Sequence, residues 1–179
     1  YGKILFIDLV SKNHTIFSKG HRNIQGLYAI DNLILATEHG PRGGDEINKI
    51  LFNKNYGWPI ASYGEKYYTK NSQKSSYIKN HYTEGFEEPL FAFVPSIGIS
   101  EIIKLPKNFS KIFNNNFIIT SLYGHNIFRI QFDKDFTRVL FSEKIFIGDR
   151  IRDIKFSNEL NGMILALEKD GEIGIITNA

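Results

Sequence analysis

The chain has 179 residues, 42% of them hydrophobic and including 15 Phe and 9 Tyr, which is enough apolar material for one packed domain. A formal charge of +3, from 22 Lys and Arg against 19 Asp and Glu with no basic run, excludes a protein that tracks nucleic-acid phosphates but leaves room for a local anion pocket. The lack of Cys excludes disulfides and thiolate metal sites, so any metal takes oxygen or His ligands, and no apolar stretch reaches the roughly 20 residues of a membrane-spanning helix.

Taken in order, the chain opens on "KILFIDLV" (3–10), a strand pattern. It begins at Tyr1, with neither Met nor a visible signal peptide, as expected of a sequence whose beginning lies further upstream. "GHRN" (20–23) follows, placing an imidazole, a cation and an amide in four residues before a strand; a simple turn accounts for that composition. "LILAT" (33–37) is the next strand. It leads into a stretch, 38–59, that holds four glycines, two prolines and the only Trp. A connection of that length and composition is a candidate site. Within it, residues 45–52 are expected to form a short helix with Ile47, Ile50 and Leu51 on one face. Asp45, Glu46 and the carbonyls freed around Gly40, Pro41, Gly43 and Gly44 suit a hard cation such as calcium; they equally suit an acid cap on that helix.

Residues 63–88 are polar and poor in aliphatics, and read as a surface loop insertion. Beyond them come strands at 117–123, 126–132, 138–147, 151–156, 163–167 and 172–177, rich in Ile, Phe and Val and bounded by Gly, Asn or Asp. In "GDRIRD", Arg150 and Arg152 alternate and project from one face. Two adjacent guanidinium forks suit a ligand with several carboxylates or phosphates, although pairing with Asp149 or Asp153 on a solvated strand face is the readier explanation on the residues alone. The five histidines show no HxH or HxxxH spacing, so a zinc site is not expected.

The fold class is therefore all-β. "LILATEHG", "FIITSLYG" and "MILALEKDG" share an apolar run and a Gly turn, and the last two begin at residues 117 and 163, 46 apart. Four-stranded blades recur at about 40 to 50 residues, which points to a β-propeller. Roughly three blades and an opening strand are present in 1–179. Closing a ring takes about four or more blades, so this partial β-propeller is expected to be completed by a missing propeller half or a homodimer partner.

"GHRNIQGLYA", "TEHGPRGGDEINKI", "NYGWP", "PSIGIS", "SLYGHNIFRIQF" and "DRIRDIKFS", in this order, resemble the C-terminal half of the soluble quinoprotein sugar dehydrogenases, the glucose/sorbosone dehydrogenase family. The resemblance implies part of a six-bladed propeller in which pyrroloquinoline quinone (PQQ), lying over calcium, oxidises the C1 hydroxyl of aldose sugars, in a periplasmic or secreted protein. It implies cofactor contacts at Arg22, Asn23, His39, Ser96, Arg150 and Arg152. Gly40 and Pro41 fall where carbonyls hold the cofactor's calcium, and Glu46, Tyr56 and Ser62 fall at ligands of a second, structural calcium.

Two departures matter. The family's general base is a His from an earlier blade, outside these 179 residues, so no catalytic residue is assigned here and the isolated chain is expected to be inactive. Tyr123 stands where a cofactor-contacting Lys is usual. An alternative consistent with that change is a non-enzymatic propeller of the same superfamily that binds a glycan or a protein; a third has Arg22, Arg150 and Arg152 in structural ion pairs.

Overall fold

The computed structural model describes residues 2–67, 76–107 and 109–178. Its strands are β1 (Lys3–Ile7), β2 (His14–Lys19), β3 (Ile24–Ile30), β4 (Leu33–Glu38), β5 (Asp45–Lys49), β6 (Lys54–Asn55), β7 (Phe91–Phe93), β8 (Ile99–Lys104), β9 (Phe117–Ser121), β10 (Asn126–Phe132), β11 (Val139–Phe146), β12 (Ile151–Ser157), β13 (Gly162–Leu167) and β14 (Ile173–Thr177), with one 3-10 turn at Tyr82–Glu84. They form four separate sheets in the orders β1-β2-β6, β3-β4-β5-β7, β8 to β11, and β12-β13-β14. These are the blades of a partial propeller, as the repeat spacing implied. No helix among the described residues is long and apolar enough to cross a membrane.

The sheets stack because their strands are apolar on both faces. All five residues of β9 are buried: Phe117 and Ile119 point into a core shared with Leu35, Ile47 and Phe93 of the preceding blade, and Ile118 into a second core with Ile154 and Leu165 of the following one. The period-2 alternation of a strand thus sends successive residues into successive cores. A third, smaller core joins Ala36, Ile50 and Tyr56 to the β1-β2 sheet through Ile4 and Phe17. Full burial of a side chain such as Ile119 or Phe117 contributes about 1.5–3 kcal/mol.

The innermost strands β3, β8 and β12 lie side by side and are tied by buried hydroxyls. Thr37 Oγ1 accepts from Gly26 N at 2.9 Å and donates to the Ser100 carbonyl at 2.5 Å, while Ser100 Oγ lies 2.8 Å from Thr120 Oγ1 and donates to the Ile151 carbonyl at 2.6 Å. Three blades are thereby joined at the end where the functional residues gather.

One expectation changes. The helix expected over 45–52 is β5, paired with β4 on one side and β7 on the other. Ile47 packs into the large core while Glu46 and Asn48 are buried on the opposite face, so backbone pairing between two strands overrides a helical periodicity only eight residues long. Part of the insertion expected over 63–88, residues 68–75, lies outside the described residues. The remainder is anchored by isolated bridges, Arg42 to Glu65 and Ala61 to Ile78, and the blade resumes afterwards with β7.

Candidate functional site

At the end of the blades where β3, β8 and β12 begin, a cavity of about 1090 Å³ opens among the connections. It is lined by Arg22 and Asn23 ahead of β3, by His39, Gly40 and Pro41 between β4 and β5, by Ser96 ahead of β8, and by Tyr123 of the β9–β10 turn. Six positions singled out from sequence (Arg22, Asn23, His39, Gly40, Pro41 and Ser96) therefore share one space. Its size is at the upper end of small-molecule sites.

Arg22 is held from three sides. Its main-chain N–H donates to Glu38 Oε2 and its Nη1 to the His39 carbonyl, both at 3.0 Å, and its guanidinium lies 5.4 Å from the centre of the Trp58 ring. The lone Trp of the unusual stretch is thus a platform for the cation at the cavity wall. His39 lines the cavity, and its buried Nε2 has no hydrogen-bond partner among the described residues. Gly40 is a requirement of packing: a Cβ there would sit 2.1 Å from the Gly43 carbonyl oxygen. The Pro41 carbonyl accepts from the Tyr67 phenol at 2.6 Å, which leaves its second lone pair.

Asp45 lines the same cavity but caps no helix. Its Oδ1 accepts from Gly40 N at 3.0 Å and Ser96 Oγ at 2.8 Å, and its Oδ2 from Ile97 N and Ile99 N, each at 3.0 Å. A carboxylate has about four acceptor positions, and all are used.

Arg150 and Arg152 are not among the cavity's lining residues. The pairing with Asp149 or Asp153 weighed from sequence is also not what holds their side chains. Both converge on Glu168 at the end of β13: Arg150 Nε donates to Glu168 Oε2 at 3.2 Å and Arg152 Nη2 to both carboxylate oxygens at 3.1 Å. The Arg152 fork, with Arg150 beside it, holds the Glu168 carboxyl below the usual range. One face carries both arginines, as alternation required; the partner 16 residues away in sequence was invisible to a reading confined to neighbours.

Beneath the main cavity lies a much smaller one of about 10 Å³, room for roughly one water-sized sphere, lined by Glu38, Glu46, Tyr56, Trp58 and Ser62 among others. Glu46, Tyr56 and Ser62 therefore line one space. The Tyr56 phenol donates to the Lys49 carbonyl at 2.5 Å and accepts from Leu51 N at 2.9 Å, and burial pushes it up to about 12. Asn48 Nδ2 bridges Glu38 Oε1 at 2.8 Å and Glu46 Oε2 at 3.2 Å. Burial first, and the neighbouring Glu38 second, push the Glu46 carboxyl up to about 8. His81 lies 3.9 Å from Glu46 and 3.6 Å from Glu88, too far for hydrogen bonds, and burial lowers its basicity; the Glu46–His81 contact is a neutral one at pH 7. No group of three or more His, Cys, Asp or Glu among the described residues is arranged as a ready metal site.

The sequence matches the Glucose / Sorbosone dehydrogenase family over residues 5–177. The chain belongs to that family. It is 32% identical over 170 residues to the aldose sugar dehydrogenase YliI of Escherichia coli, covering 88% of this chain and 42% of that protein. It is 33% identical over 117 residues to quinoprotein glucose dehydrogenase B of Acinetobacter calcoaceticus, covering 62% and 24%. A solved glucose dehydrogenase superposes with a TM-score of 0.80 at 30% identity, over 97% of this chain and 50% of that one. This glucose/sorbosone dehydrogenase chain thus spans half or less of the proteins it matches. Within that span Arg22, Asn23, His39, Gly40, Pro41 and Ser96 line one cavity; the bonds by which Glu38 and Asp45 hold this region, and Glu168 the Arg150–Arg152 pair, follow from no local pattern.

Proposed function

We propose that this chain is the cofactor-gripping part of a PQQ- and calcium-dependent aldose sugar dehydrogenase, acting on the C1 hydroxyl of its substrate in the periplasm or outside the cell. The observation that carries this reading is the convergence of Arg22, Asn23, His39, Gly40, Pro41 and Ser96 on one large cavity. The names of the relatives, an aldose sugar dehydrogenase and a quinoprotein glucose dehydrogenase, support it.

The residues fit such a group where it would react. His39 Nε2 is buried without a partner, and such an atom calls for a ligand contact. The Pro41 carbonyl keeps a lone pair for a hard cation, and Gly40 beside it is packed so closely on the Gly43 carbonyl that no side chain fits there. When bound, PQQ with calcium would supply a quinone carbonyl able to accept hydride from the sugar. Arg22, fixed by Glu38, His39 and Trp58, would place a permanent positive charge where negative charge develops. Asn23 and Ser96 would orient the bound group by hydrogen bonds. Arg150 and Arg152 would hold carboxylates in place of, or together with, Glu168. Abstraction of the sugar's hydroxyl proton is assigned to no residue of this chain, which on this reading is inactive alone and needs the rest of a six-bladed ring, from a missing half or a second copy. Glu46, Tyr56 and Ser62 would offer oxygens to a second, structural calcium at the small cavity.

Two observations favour a second reading, a non-enzymatic propeller binding a glycan or protein. Tyr123, 77% exposed at the cavity rim, stands where the resemblance implies a cation, and Glu168 already occupies the arginine pair. Titration of PQQ into the chain, with calcium and with chelator, separates the two by cofactor absorbance. Calcium-dependent binding that Arg22→Ala weakens is expected; absence of binding in the completed ring would overturn the reading.

A further inference from the structure

The cavity's two walls come from different blades, and a single buried carboxylate joins them. Gly40 and Pro41 belong to the β4–β5 connection of one blade, whereas Ser96, Ile97 and Ile99 lead into β8, the innermost strand of the next. Asp45 is 1% exposed and accepts from Gly40 N, Ser96 Oγ, Ile97 N and Ile99 N, two donors to each oxygen. Its backbone is itself fixed in the sheet opposite Phe93.

From this geometry we propose that Asp45 is a positioning residue: it locks the Gly40–Pro41 turn and Ser96 into one rigid frame, so that the carbonyls offered to a calcium ion and the hydroxyl offered to its cofactor keep a fixed separation. This rests on the functional reading above. The carboxylate is suited to the task in a way its amide is not. Four donors converge on it, and Asp, being acceptor-only, meets all four. An Asn would keep one oxygen and turn an NH₂ toward the other pair of donors. Ser96 can accept from that NH₂ because a hydroxyl works in both directions, but the Gly40 amide cannot, so Asp45→Asn leaves Gly40 N unsatisfied and frees the turn that carries the Pro41 carbonyl. Hydrogen bonds to a charged acceptor are the strong ones, so the turn's order depends on this side chain more than on any neutral contact.

Asp45→Asn should raise the calcium concentration that half-saturates PQQ binding about tenfold or more, while PQQ binding in chelator stays as in wild type. Amide hydrogen exchange, which needs no cofactor, should show Gly40 exchanging faster in the variant, with the Ile97, Ile99 and β9 amides unchanged. Unaltered calcium dependence together with unaltered exchange at the Gly40 amide would overturn the proposal. If wild type binds no PQQ, the functional reading fails, and the exchange comparison still decides whether Asp45 holds the two loops. If Asp45→Asn does not fold, wild-type exchange decides it: the Gly40 amide should be as protected as those of β4, and rapid exchange there would overturn the assignment.

Discussion

Arg152 Nη2 lies 3.1 Å from each carboxylate oxygen of Glu168, with Arg150 Nε 3.2 Å from one of them. A carboxylate from the protein thus sits where two adjacent guanidinium forks would take a ligand's carboxylates. The three side chains are 39% to 50% exposed, so the cluster is screened and readily exchanged. Glu168→Gln should therefore strengthen PQQ binding, by roughly twofold to fivefold as expected for exposed pairs. Arg150→Ala with Arg152→Ala should weaken it far more than Lys12→Ala, a change at an exposed cation. Titration by cofactor absorbance reads both. Equal losses from the arginine pair and from Lys12 would point to nonspecific charge attraction.

The Glu46 carboxyl gives stability a pH dependence whose sign is fixed. Its ordinary value is near 4.5 and the fold raises it to about 8, so between those values the native state holds a proton that the unfolded chain has released. Stability then falls as pH rises through this window. The contribution is fully present below about 4.5 and lost by about 8. In chelator, thermal unfolding of wild type should show this decline, and Glu46→Gln, which keeps a neutral group at all pH, should flatten it. A wild-type melting profile level from pH 5 to 8, matched by the variant, would sink the prediction.

Ser100 connects three blades: its hydroxyl touches Thr120 of its own blade and the Ile151 carbonyl of the next, while its main-chain carbonyl takes the Thr37 hydroxyl of the preceding one. Ser100→Ala leaves buried polar atoms with one partner fewer and should cost about 1–3 kcal/mol. Ile119→Ala, in the fully buried strand β9, should cost about 2–5 kcal/mol through its cavity. Urea unfolding midpoints at constant slope measure both. A Ser100→Ala variant as stable as wild type would mean that the Ser100 hydroxyl adds nothing to the apolar packing between its blade and the next.

These particulars explain what the sequence could disclose. Strands such as β10 (Asn126–Phe132) were legible because Ile, Phe and Val runs end sharply at Asn, Gly or Asp. β5 was not, because the buried Glu46 and Asn48 break the polar-out rule, their neighbours being acids and amides rather than water. Arg22, Gly40 and Ser96 were legible as short motifs matching a known family. Asp45 was visible as an acid, but its four donors lie up to 54 residues away in sequence. Likewise, nothing near Arg150 announces Glu168. Pairings across blades are set by how sheets stack, and no local pattern records that.

Stacking also leaves β14 paired only with β13, and no strand among the described residues covers its other edge. Ile173 and Ile175 on that strand are 67% and 56% exposed. An uncovered edge offers a row of free N–H and C=O groups to any similar strand, and apolar side chains beside it favour the pairing. The chain should therefore self-associate with rising concentration, as sedimentation velocity over about a hundredfold range would detect. Ile175→Lys places a charge on the edge and should shift the distribution to monomer with an unchanged far-ultraviolet circular dichroism spectrum. A wild-type chain that stays monomeric across the range would mean that β14 is protected by its own twist or by neighbouring chain, and that its edge drives no association.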